Sequence, residues 1–380
     1  MADSNTQTTS LFSEFEPTST SEWEDILTRD LKGADYKKKL RWESVEGIEA
    51  LPFYRKEDLN SLPHLKNGIK INTPANWSFC EVIDQADAAD ANRDARKAVE
   101  KGADSLWLTI QFAPDDGELG GDVTGIRVQN LDDMNTLLDG IDLTKTGVVF
   151  NSGAGSVGML GMVEVYLEGI DLVTYTELTN DTPLTHSGLK HLSFLFDPFT
   201  YMAEHGRLPV SEERLNSLIT QMAEANDGHT LTANGAFFHN CGATLIQEIG
   251  IALAIGSDYL ARVPESDREK VASRFWMHLS AGSLYFPEIA KFRAARLLWQ
   301  RVLDAYGLDS NLPLTIHAST SQWNKAIADS HNNMLRATTE ATAAAVGGAN
   351  SITVHPFDIH YEQTDDFSQR IARNVSHILD

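Results

Sequence analysis

A regular alternation of short apolar runs with longer amphipathic segments constrains the fold of this chain most. From Trp77 onward, eight runs have the length and the β-branched or aromatic content of buried strands. They are Phe79–Ile83, Leu106–Ile110, Gly147–Phe150, Leu192–Phe196, Thr230–Ala233, Phe275–Leu279, Leu314–His317 and Ile352–His355. Helical patterns follow them near 86–101, 131–139, 156–168, 209–225, 242–262, 286–306, 324–345 and 365–379.

Eight strands, each followed by a helix, is the count of a (β/α)8 TIM barrel. An open, doubly wound sheet alternates in the same way, so the pattern predicts an α/β domain over residues 76–380 but leaves closure open. Residues 21–75 precede it. Their sequence predicts one helix, opened by a capping box at Ser21–Glu24, and a β-hairpin over 39–54 that turns at Glu46-Gly47. This extension is too short to bury a core of its own and must pack on the main body or on another subunit.

The charge balance excludes several classes of function. Acidic residues outnumber basic ones by 54 to 31, and a net charge of −23 repels nucleic acid and anionic membranes. Two cysteines, Cys80 and Cys241, cannot form a disulfide framework or a cysteine-based zinc site. The polar, acidic N-terminus and the lack of an apolar run of membrane-spanning length predict a cytoplasmic protein, with residues 1–20 as a disordered tail.

The segment Phe286–Arg301 combines an apolar stripe with a cluster of cations. Its sequence, FPEIAKFRAARLLWQR, predicts an amphipathic helix. The cations are Lys291, Arg293, Arg296 and Arg301. In an acidic chain such a cluster can bind an anion, such as a ligand phosphate, or can form a solvated face that pairs with nearby Asp and Glu. The spacing alone does not separate these two interpretations.

The same segment resembles a known family. EIAKFRAARLLW is similar to the signature of the methylmalonyl-CoA mutase family, the cobalamin-dependent acyl-CoA mutases. Trp323–Asp358 and Asp30–Leu59 resemble the same family, and the similarity runs from about Ser21 to the last residue. It implies a closed TIM barrel with an N-terminal segment that wraps around a partner subunit. In this family a linker and a cobalamin-binding domain follow the barrel, so the resemblance implies that residues 21–380 correspond to the barrel portion of such a chain.

The chain departs from the catalytic members at the substrate positions. They carry a RQYAGFSTAEESN-like segment after the first strand, and its tyrosine contacts the substrate. The matching run here, WSFCEVIDQADAADAN, places Val82 at that position. They also read SGYHMQEAGA after the fifth strand, and NGAFFHNCGA places Ala236 and Phe237 where the Tyr-His pair stands. Since Ala and Phe cannot donate hydrogen bonds to a thioester carbonyl, the resemblance implies a barrel that has lost its chemistry.

Some side chains would nevertheless serve a catalytic barrel. His317 lies in a stretch, HASTS, that matches an HxxTS-like stretch of the catalytic chains, and His239 follows the fifth strand with a gap-dependent match. Both are catalytic candidates, with satisfied structural histidines as the alternative. Asn240, Ser319, Arg293 and Arg296 are the corresponding candidates for substrate binding. These residues would act if the chain were the acyl-CoA-binding barrel of a split mutase whose cobalamin domain is a separate chain.

Two further motifs are interpreted as structural. Gly153–Gly158 is a literal GxGxxG, but it lies in the third βα unit, which favours a tight turn over a dinucleotide site. Asp358-Ile359-His360 matches only the start of the DxHxxG sequence that presents a cobalamin ligand, because Gln363 replaces the glycine. No HExxH or CxxC spacing indicates a metal site.

The resemblance and the departures together favour one hypothesis. The chain is expected to be the small, non-catalytic subunit of a methylmalonyl-CoA mutase, an isomerase of propionate metabolism, in a heterodimer with a catalytic large subunit. This chain would bind no cofactor, and adenosylcobalamin would reach the complex through the partner. A solitary barrel with another cofactor is a third interpretation, supported only by the GxGxxG sequence.

Overall fold

The computed structural model describes residues 15–16, 18–62, 74, 76–111, 125–169, 192–225, 228–361 and 364–379. The chain divides into two compact units, residues 1–69 and residues 70–380. Of the predicted disordered tail, residues 1–20, fifteen residues lie outside the described ones. The prediction is wrong at its end, because Ser19 caps a helix that begins at Thr20.

The first unit contains the predicted helix and hairpin. Its elements are α1 (Thr20–Asp30), α2 (Tyr36–Leu40), β1 (Trp42–Glu43), β2 (Glu49–Ala50) and a 3-10 turn at Lys56–Ser61. The capping box that opens α1 is Ser19 with Glu22 rather than Ser21 with Glu24. Ser19 Oγ accepts a hydrogen bond from the Glu22 amide at 3.2 Å, and the Glu22 carboxylate accepts one from the Ser19 amide at 2.8 Å. Both sequences satisfy the same rule, so only the local backbone decides which serine caps the helix.

The hairpin is much shorter than its sequence pattern. Only Trp42 with Ala50 and Glu43 with Glu49 pair across it, in antiparallel register. Gly47 has φ of 78°, in the left-handed region that a residue with Cβ rarely adopts. The turn includes Glu46 and Gly47, as the sequence pattern predicts, but it extends from Ser44 to Ile48, so the paired strands are shorter than the alternation predicts.

The second unit is a closed barrel of eight parallel strands, which confirms the (β/α)8 fold. The strands are β3 (Ser78–Ile83), β4 (Ser105–Thr109), β5 (Gly147–Asn151), β6 (Leu192–Phe196), β7 (His229–Asn234), β8 (Phe275–Ala281), β9 (Thr315–Thr320) and β10 (Ser351–Thr353). Each strand pairs with its sequence neighbours, and β10 pairs with both β9 and β3. The last pairing decides the closure that the sequence pattern left open.

Helices surround the barrel. They are α3 (Ala88–Glu100), α4 (Leu131–Leu138), α5 (Ser156–Gly169), α6 (Pro198–His205), α7 (Glu212–Ala225), α8 (Gly235–Asn240), α9 (Leu245–Arg262), α10 (Arg268–Arg274), α11 (Tyr285–Ala305), α12 (Asn332–Gly347) and α13 (Asp366–Leu379). None of the helices within the described ranges is long and apolar enough to cross a membrane. The sequence pattern did not predict α6, α8 and α10; α8 and α10, of six and seven residues, are too short for helical periodicity to reveal them.

Helix α12 begins eight residues after its predicted start. The Asn324 and Lys325 side chains, in the preceding loop, donate hydrogen bonds of 2.7 and 2.6 Å to the carboxylate of Glu340. Asn333 fixes the same loop, since its side chain accepts from the Ala326 amide and donates to the Ala326 carbonyl. The residue spacing of this segment is typical of a helix, but these tertiary bonds hold it in a loop conformation.

Two apolar layers form the core of this unit. The larger layer packs the outward faces of the strands against the helices, with Leu106, Phe150 and Trp299 among its fully buried members. The smaller layer lies inside the barrel. It consists of Cys80, Trp107, Leu195 and Trp276, with Val82 and Val149 packed against them. This division follows the alternation of side chains along each strand.

Candidate functional site

The barrel interior is filled at the level of its two tryptophans. Trp107 comes from β4 and Trp276 from β8, on opposite sides of the closed barrel, yet their ring centroids are 6.1 Å apart. The Trp107 ring also lies 4.9 Å from the His278 ring and 4.8 Å from the His317 ring. Both tryptophans are buried, with 6% and 2% of their surface exposed. Side chains therefore occupy the space that a ligand inside the barrel would need.

His317 is a buried member of this packing. Its Nδ1 lies 2.7 Å from Ser351 Oγ, and only 1% of the residue is exposed. Burial, with further contributions from His278 and His355, holds the pKa of His317 well below the ordinary value. In this geometry the imidazole is neutral, is hydrogen-bonded to Ser351 and lies between aromatic rings.

Ser319 is engaged by the neighbouring strand. Its Oγ lies 3.0 Å from Nε2 of His278, and burial lowers the pKa of His278 to about 4. Ser319 and His317 are both on β9, two residues apart, so both point into the filled interior. The structure thus brings these two candidates together, but among aromatic rings.

A cluster of buried charges lies at the carboxyl end of β8. Nζ of Lys291 is 2.6 Å from Oε2 of Glu248, 2.6 Å from Oε2 of Glu288 and 2.6 Å from the Ser280 carbonyl. The other oxygen of Glu248 accepts a 2.7 Å bond from the Ser280 amide. Helices α9 and α11 supply the charged side chains, and the end of β8 supplies the backbone groups.

The ionisation of this cluster follows from its packing. Burial alone would lower the pKa of Lys291, but the two carboxylates outweigh it and raise that pKa. Burial works against the charge of Glu248, yet Lys291 outweighs it, and the pKa of Glu248 is lowered. For Glu288 burial prevails and raises the pKa. The favoured state is an ammonium ion held mainly by Glu248.

His239 joins this cluster to the end of β9. Its Nε2 is 2.8 Å from Ser321 Oγ, and its Nδ1 is 3.6 Å from Oε2 of Glu248. A Cβ at position 282 would come within 2.8 Å of the Glu288 carboxylate and 3.1 Å of the His239 ring, so this approach requires Gly282. His239 is 8% exposed and lies at the end of the barrel where TIM-barrel sites form.

Asn240 holds two loops together beside His239. Its Oδ1 accepts a 3.1 Å bond from the Gln322 amide. The other polar groups of Gln322 are also engaged: the carbonyl lies 2.8 Å from Nε2 of His360, and the side-chain amide lies 3.3 Å from Nε2 of His355. The loops after β7, β9 and β10 are therefore joined at Gln322.

The two arginine candidates lie away from His239. The buried guanidinium of Arg296 donates to the carbonyl of Leu314, to that of Gly348 at 2.6 Å and to Asn350 Oδ1 at 2.7 Å. Leu314 and Asn350 directly precede β9 and β10, at the opposite end of the barrel from His239. Arg293 is exposed and donates to the Val346 carbonyl at 3.2 Å.

The cations of α11 therefore do not converge on one site. Lys291 is buried among carboxylates, and Arg301 approaches Asp304 at 3.9 Å. Of the two sequence interpretations of this helix, the geometry favours packing and local pairing over an anion site.

The positions that differ from catalytic chains are apolar in space as well. Val82 packs with the tryptophan layer inside the barrel, and Ala236 is buried in α8. Phe237 is half-buried, with its ring 5.3 Å from that of Phe238. No side chain at these three positions can donate a hydrogen bond.

The GxGxxG sequence and the Asp-Ile-His sequence take part in local structure, as far as the described residues extend. Residues 153–155 form a 3-10 turn, and Ser156 Oγ donates to the Gly153 carbonyl at 2.8 Å. Gly153 has φ of 50°, which accounts for a glycine there. His360 of the Asp-Ile-His sequence is bonded to the Gln322 carbonyl, while Gln363 lies outside the described residues. Across the described ranges, no group of three His, Cys, Asp or Glu side chains has a geometry that could hold a metal ion.

Sequence reasoning missed the Glu248–Lys291–Glu288 cluster. One signal was available: Glu288 and Lys291 are three residues apart on α11, in line with the apolar stripe rather than opposite it. Glu248 had a similar signal, as a carboxylate within the apolar segment LIQEIGIALAIG. Charged residues on apolar faces indicate buried pairs, but the sequence does not identify the partner.

Comparison with known proteins agrees with this geometry. The profile of the family described as Methylmalonyl-CoA mutase matches residues 46–380. The chain is 34% identical to the methylmalonyl-CoA mutase small subunit of Porphyromonas gingivalis, over 97% of this chain and 58% of that protein. It is 28% identical to the small subunit of Streptomyces virginiae, over 97% of this chain and 59% of that protein. It is 27% identical to the large subunit of Porphyromonas gingivalis, over 88% of this chain and 49% of that protein.

The chain thus spans a little over half the length of the small subunits that it matches. The family match covers all of the second unit and residues 46–69 of the first. The chain belongs to the methylmalonyl-CoA mutase family.

Proposed function

We propose that this chain is the small subunit of a methylmalonyl-CoA mutase and acts as a structural partner. The catalytic large subunit would interconvert methylmalonyl-CoA and succinyl-CoA. The observation that carries the proposal is the contact of Trp107 with Trp276 across the barrel. A barrel filled at this level has no room there for the acyl-CoA tail.

The substrate positions support the same role. A mutase site must hydrogen-bond a thioester carbonyl and shield radicals, and Val82, Ala236 and Phe237 supply only apolar surface. His317 and Ser319 bond to other interior side chains, and Arg296 bonds to backbone carbonyls and an amide oxygen. The polar candidates are engaged within the barrel rather than directed at a common point.

The surface of the first unit supports a partner. Several large apolar side chains between residues 42 and 54 are exposed. They are Trp42, Val45, Ile48, Phe53 and Tyr54, with exposed fractions of 42%, 86%, 54%, 46% and 60%. A concentration of exposed large apolar side chains in one short segment is typical of a protein interface. We assign it to the contact with the large subunit, so that residues 21–75 form the subunit-contact extension.

Adenosylcobalamin, the cofactor of the family, is assigned to the partner. The Asp-Ile-His sequence does not fit a cobalamin ligand, because Nε2 of His360 bonds to the Gln322 carbonyl at the mouth of the barrel. The cofactor supplies radical chemistry when bound. This chain would contribute interface area and the stability of the complex.

Isothermal titration of the chain with the large subunit and, separately, with methylmalonyl-CoA tests the proposal. We expect saturable binding of the large subunit near one-to-one stoichiometry and no heat with methylmalonyl-CoA. Saturable binding of methylmalonyl-CoA to this chain alone would overturn the structural role and favour the split catalytic barrel. In that case His239→Ala and His317→Ala would show whether those residues contact the ligand.

A further inference from the structure

The first unit carries a strongly basic segment within a strongly acidic protein. Residues 31–42 contain five cations, Lys32, Lys37, Lys38, Lys39 and Arg41, and one acidic residue, Asp35. Residues 70–380, by contrast, contain 41 acidic and 22 basic residues. The sign of the charge therefore changes locally, on the unit that we assign to subunit contact.

Four of these five cations have no carboxylate partner among the described residues. Lys32 and the three lysines of α2, Lys37, Lys38 and Lys39, are exposed, and none forms an ion pair within 4 Å. Arg41 differs, since its guanidinium lies 2.8 Å from Glu49 Oε1 and 5.7 Å from the centre of the Tyr36 ring. The lysines thus remain available in a chain with abundant carboxylates.

Local structure does not need these lysines. Asp35 Oδ1 caps α2 by accepting from the backbone amides of residues 37 and 38, at 2.8 and 3.3 Å. A helix of five residues gains little from side-chain charge, and α2 contains no buried residue. The lysines can therefore be replaced without loss of a core contact.

Basic and apolar surface are adjacent along the chain. Trp42, the next residue after Arg41, begins the exposed apolar set of the first unit. Protein interfaces combine an apolar centre with charges that select the partner and accelerate the encounter. An unpaired group of lysines beside such a surface fits a partner surface rich in carboxylates.

We infer that Lys37, Lys38 and Lys39, with Lys32, form an electrostatic docking segment for an acidic surface of the large subunit's barrel. This inference rests on the proposed function. Continuity supports this occupant, because the lysines directly precede in the chain the exposed apolar residues between 42 and 54 that we assign to the large subunit. The lysines raise the association rate and its dependence on salt, while the apolar residues hold the complex together.

The test measures association with the large subunit by stopped flow at several salt concentrations. The variant is Lys37→Gln/Lys38→Gln/Lys39→Gln. Its matched control is Lys101→Gln/Lys145→Gln/Lys270→Gln, which removes the same charge from barrel lysines that already pair with Glu100, Asp142 and Glu224. Circular dichroism checks that both variants keep the wild-type fold.

We expect the association rate to depend on which lysines are replaced and on the salt concentration. At 50 mM salt the α2 variant should associate about tenfold more slowly than wild type, whereas the control should stay within about twofold. At 0.5 M salt the difference should nearly vanish, because screening then acts within about 4 Å. Dissociation rates should change little in either variant.

Other outcomes would overturn the inference in distinct ways. Equal rates for the two variants would mean that net charge alone, or no charge, governs association, while the proposed function would stand. If coenzyme A at constant ionic strength slows the association of wild type but not that of the α2 variant, the lysines bind the phosphates of coenzyme A and not the large subunit. If the α2 variant associates with the large subunit as fast as wild type, and sedimentation shows that wild type self-associates in a salt-dependent way, the lysines bind a second copy of this chain. Failure of wild type to bind the large subunit would refute the proposed function itself.

Discussion

The indole rings of Trp107 and Trp276 lie 6.1 Å apart inside the barrel although their strands stand on opposite sides of it. Two side chains thus span most of the interior. Most of their remaining neighbours inside the barrel are apolar or aromatic. A packed interior is the usual state of a TIM barrel, and it makes this one unsuited to hold a long ligand at that level.

Removal of the Trp107 indole should destabilise the barrel strongly. Trp107→Ala is expected to lower the free energy of unfolding by about 3–5 kcal/mol, because it leaves a cavity among rings that have no room to collapse. The control is Trp323→Ala, since Trp323 is 65% exposed. Its effect should be below about 0.5 kcal/mol. Urea denaturation measures both, and a similar loss in the two variants would show that Trp107 does not fill the interior.

Arg296 and Arg293 should differ sharply, although they lie three residues apart on one helix. Arg296→Met removes the donor that two buried carbonyls share, and it leaves Asn350 Oδ1 with only its bond from the Ile316 amide; the cost is about 2–4 kcal/mol of stability. Arg293→Met removes one exposed bond and should cost less than about 0.5 kcal/mol. Thermal unfolding compares the two. Equal, small effects would contradict the anchoring role of Arg296 at the start of β9 and β10.

The buried cluster predicts that substitutions of Glu248 and Lys291 have non-additive effects on the free energy of unfolding. Lys291→Met removes the cation between Glu248 and Glu288 and should cost about 3–5 kcal/mol, because two adjacent carboxylates stay buried. The double variant Glu248→Gln/Lys291→Met should recover part of this loss, since one of those charges is gone. A double-mutant cycle by urea denaturation measures the coupling. Losses that simply add would mean that the two charges do not interact.

The interior histidines predict a loss of stability in mild acid. Folding lowers the pKa of His278 from about 6.5 to about 4, so below pH 6.5 the unfolded chain binds a proton that the folded chain excludes. This contribution is complete above about pH 7 and falls by about 1.4 kcal/mol per pH unit between 6.5 and 4. His317, whose pKa is also lowered, acts in the same direction. The opposite shift of Glu288, whose pKa is raised, makes folding more favourable as the pH falls.

Urea midpoints at pH 7 and pH 5 test this dependence. In His278→Gln the decline between the two pH values should be smaller by about 2 kcal/mol, since one titrating group is removed and Glu288 remains in both proteins. An unchanged decline would show that His278 is protonated in the folded barrel.

The first unit should be needed for assembly. A chain that lacks residues 1–69 is expected to lose co-purification with the large subunit, because the exposed apolar residues between 42 and 54 are removed with it. Circular dichroism and thermal unfolding of the truncated chain provide the control for a folded barrel. A truncated, folded chain that still co-purifies would place the main contact on the barrel.

Much of the fold could be predicted from the sequence, because strands and helices are governed by local periodicity. The strand Leu192–Phe196 was predicted to the residue, and α4 and α5 to within one residue. The start of α12 could not be predicted in this way, since bonds from Asn324 and Lys325 to Glu340 connect residues 15 and 16 positions apart. The capping serine of α1 was ambiguous because two capping boxes overlap.

The candidate site divides in the same way. By itself the sequence determined the α/β class and the family resemblance, and it predicted apolar side chains at the substrate positions, Val82, Ala236 and Phe237, because these depend on residue identity and local pattern. Only the tertiary structure decided that β10 closes onto β3, that Trp107 and Trp276 fill the interior, and that Lys291 lies between two carboxylates while Arg296 binds backbone carbonyls at the other end. The physical reason is that packing and charge pairing join residues far apart in the chain, and periodicity carries no information about which of them meet.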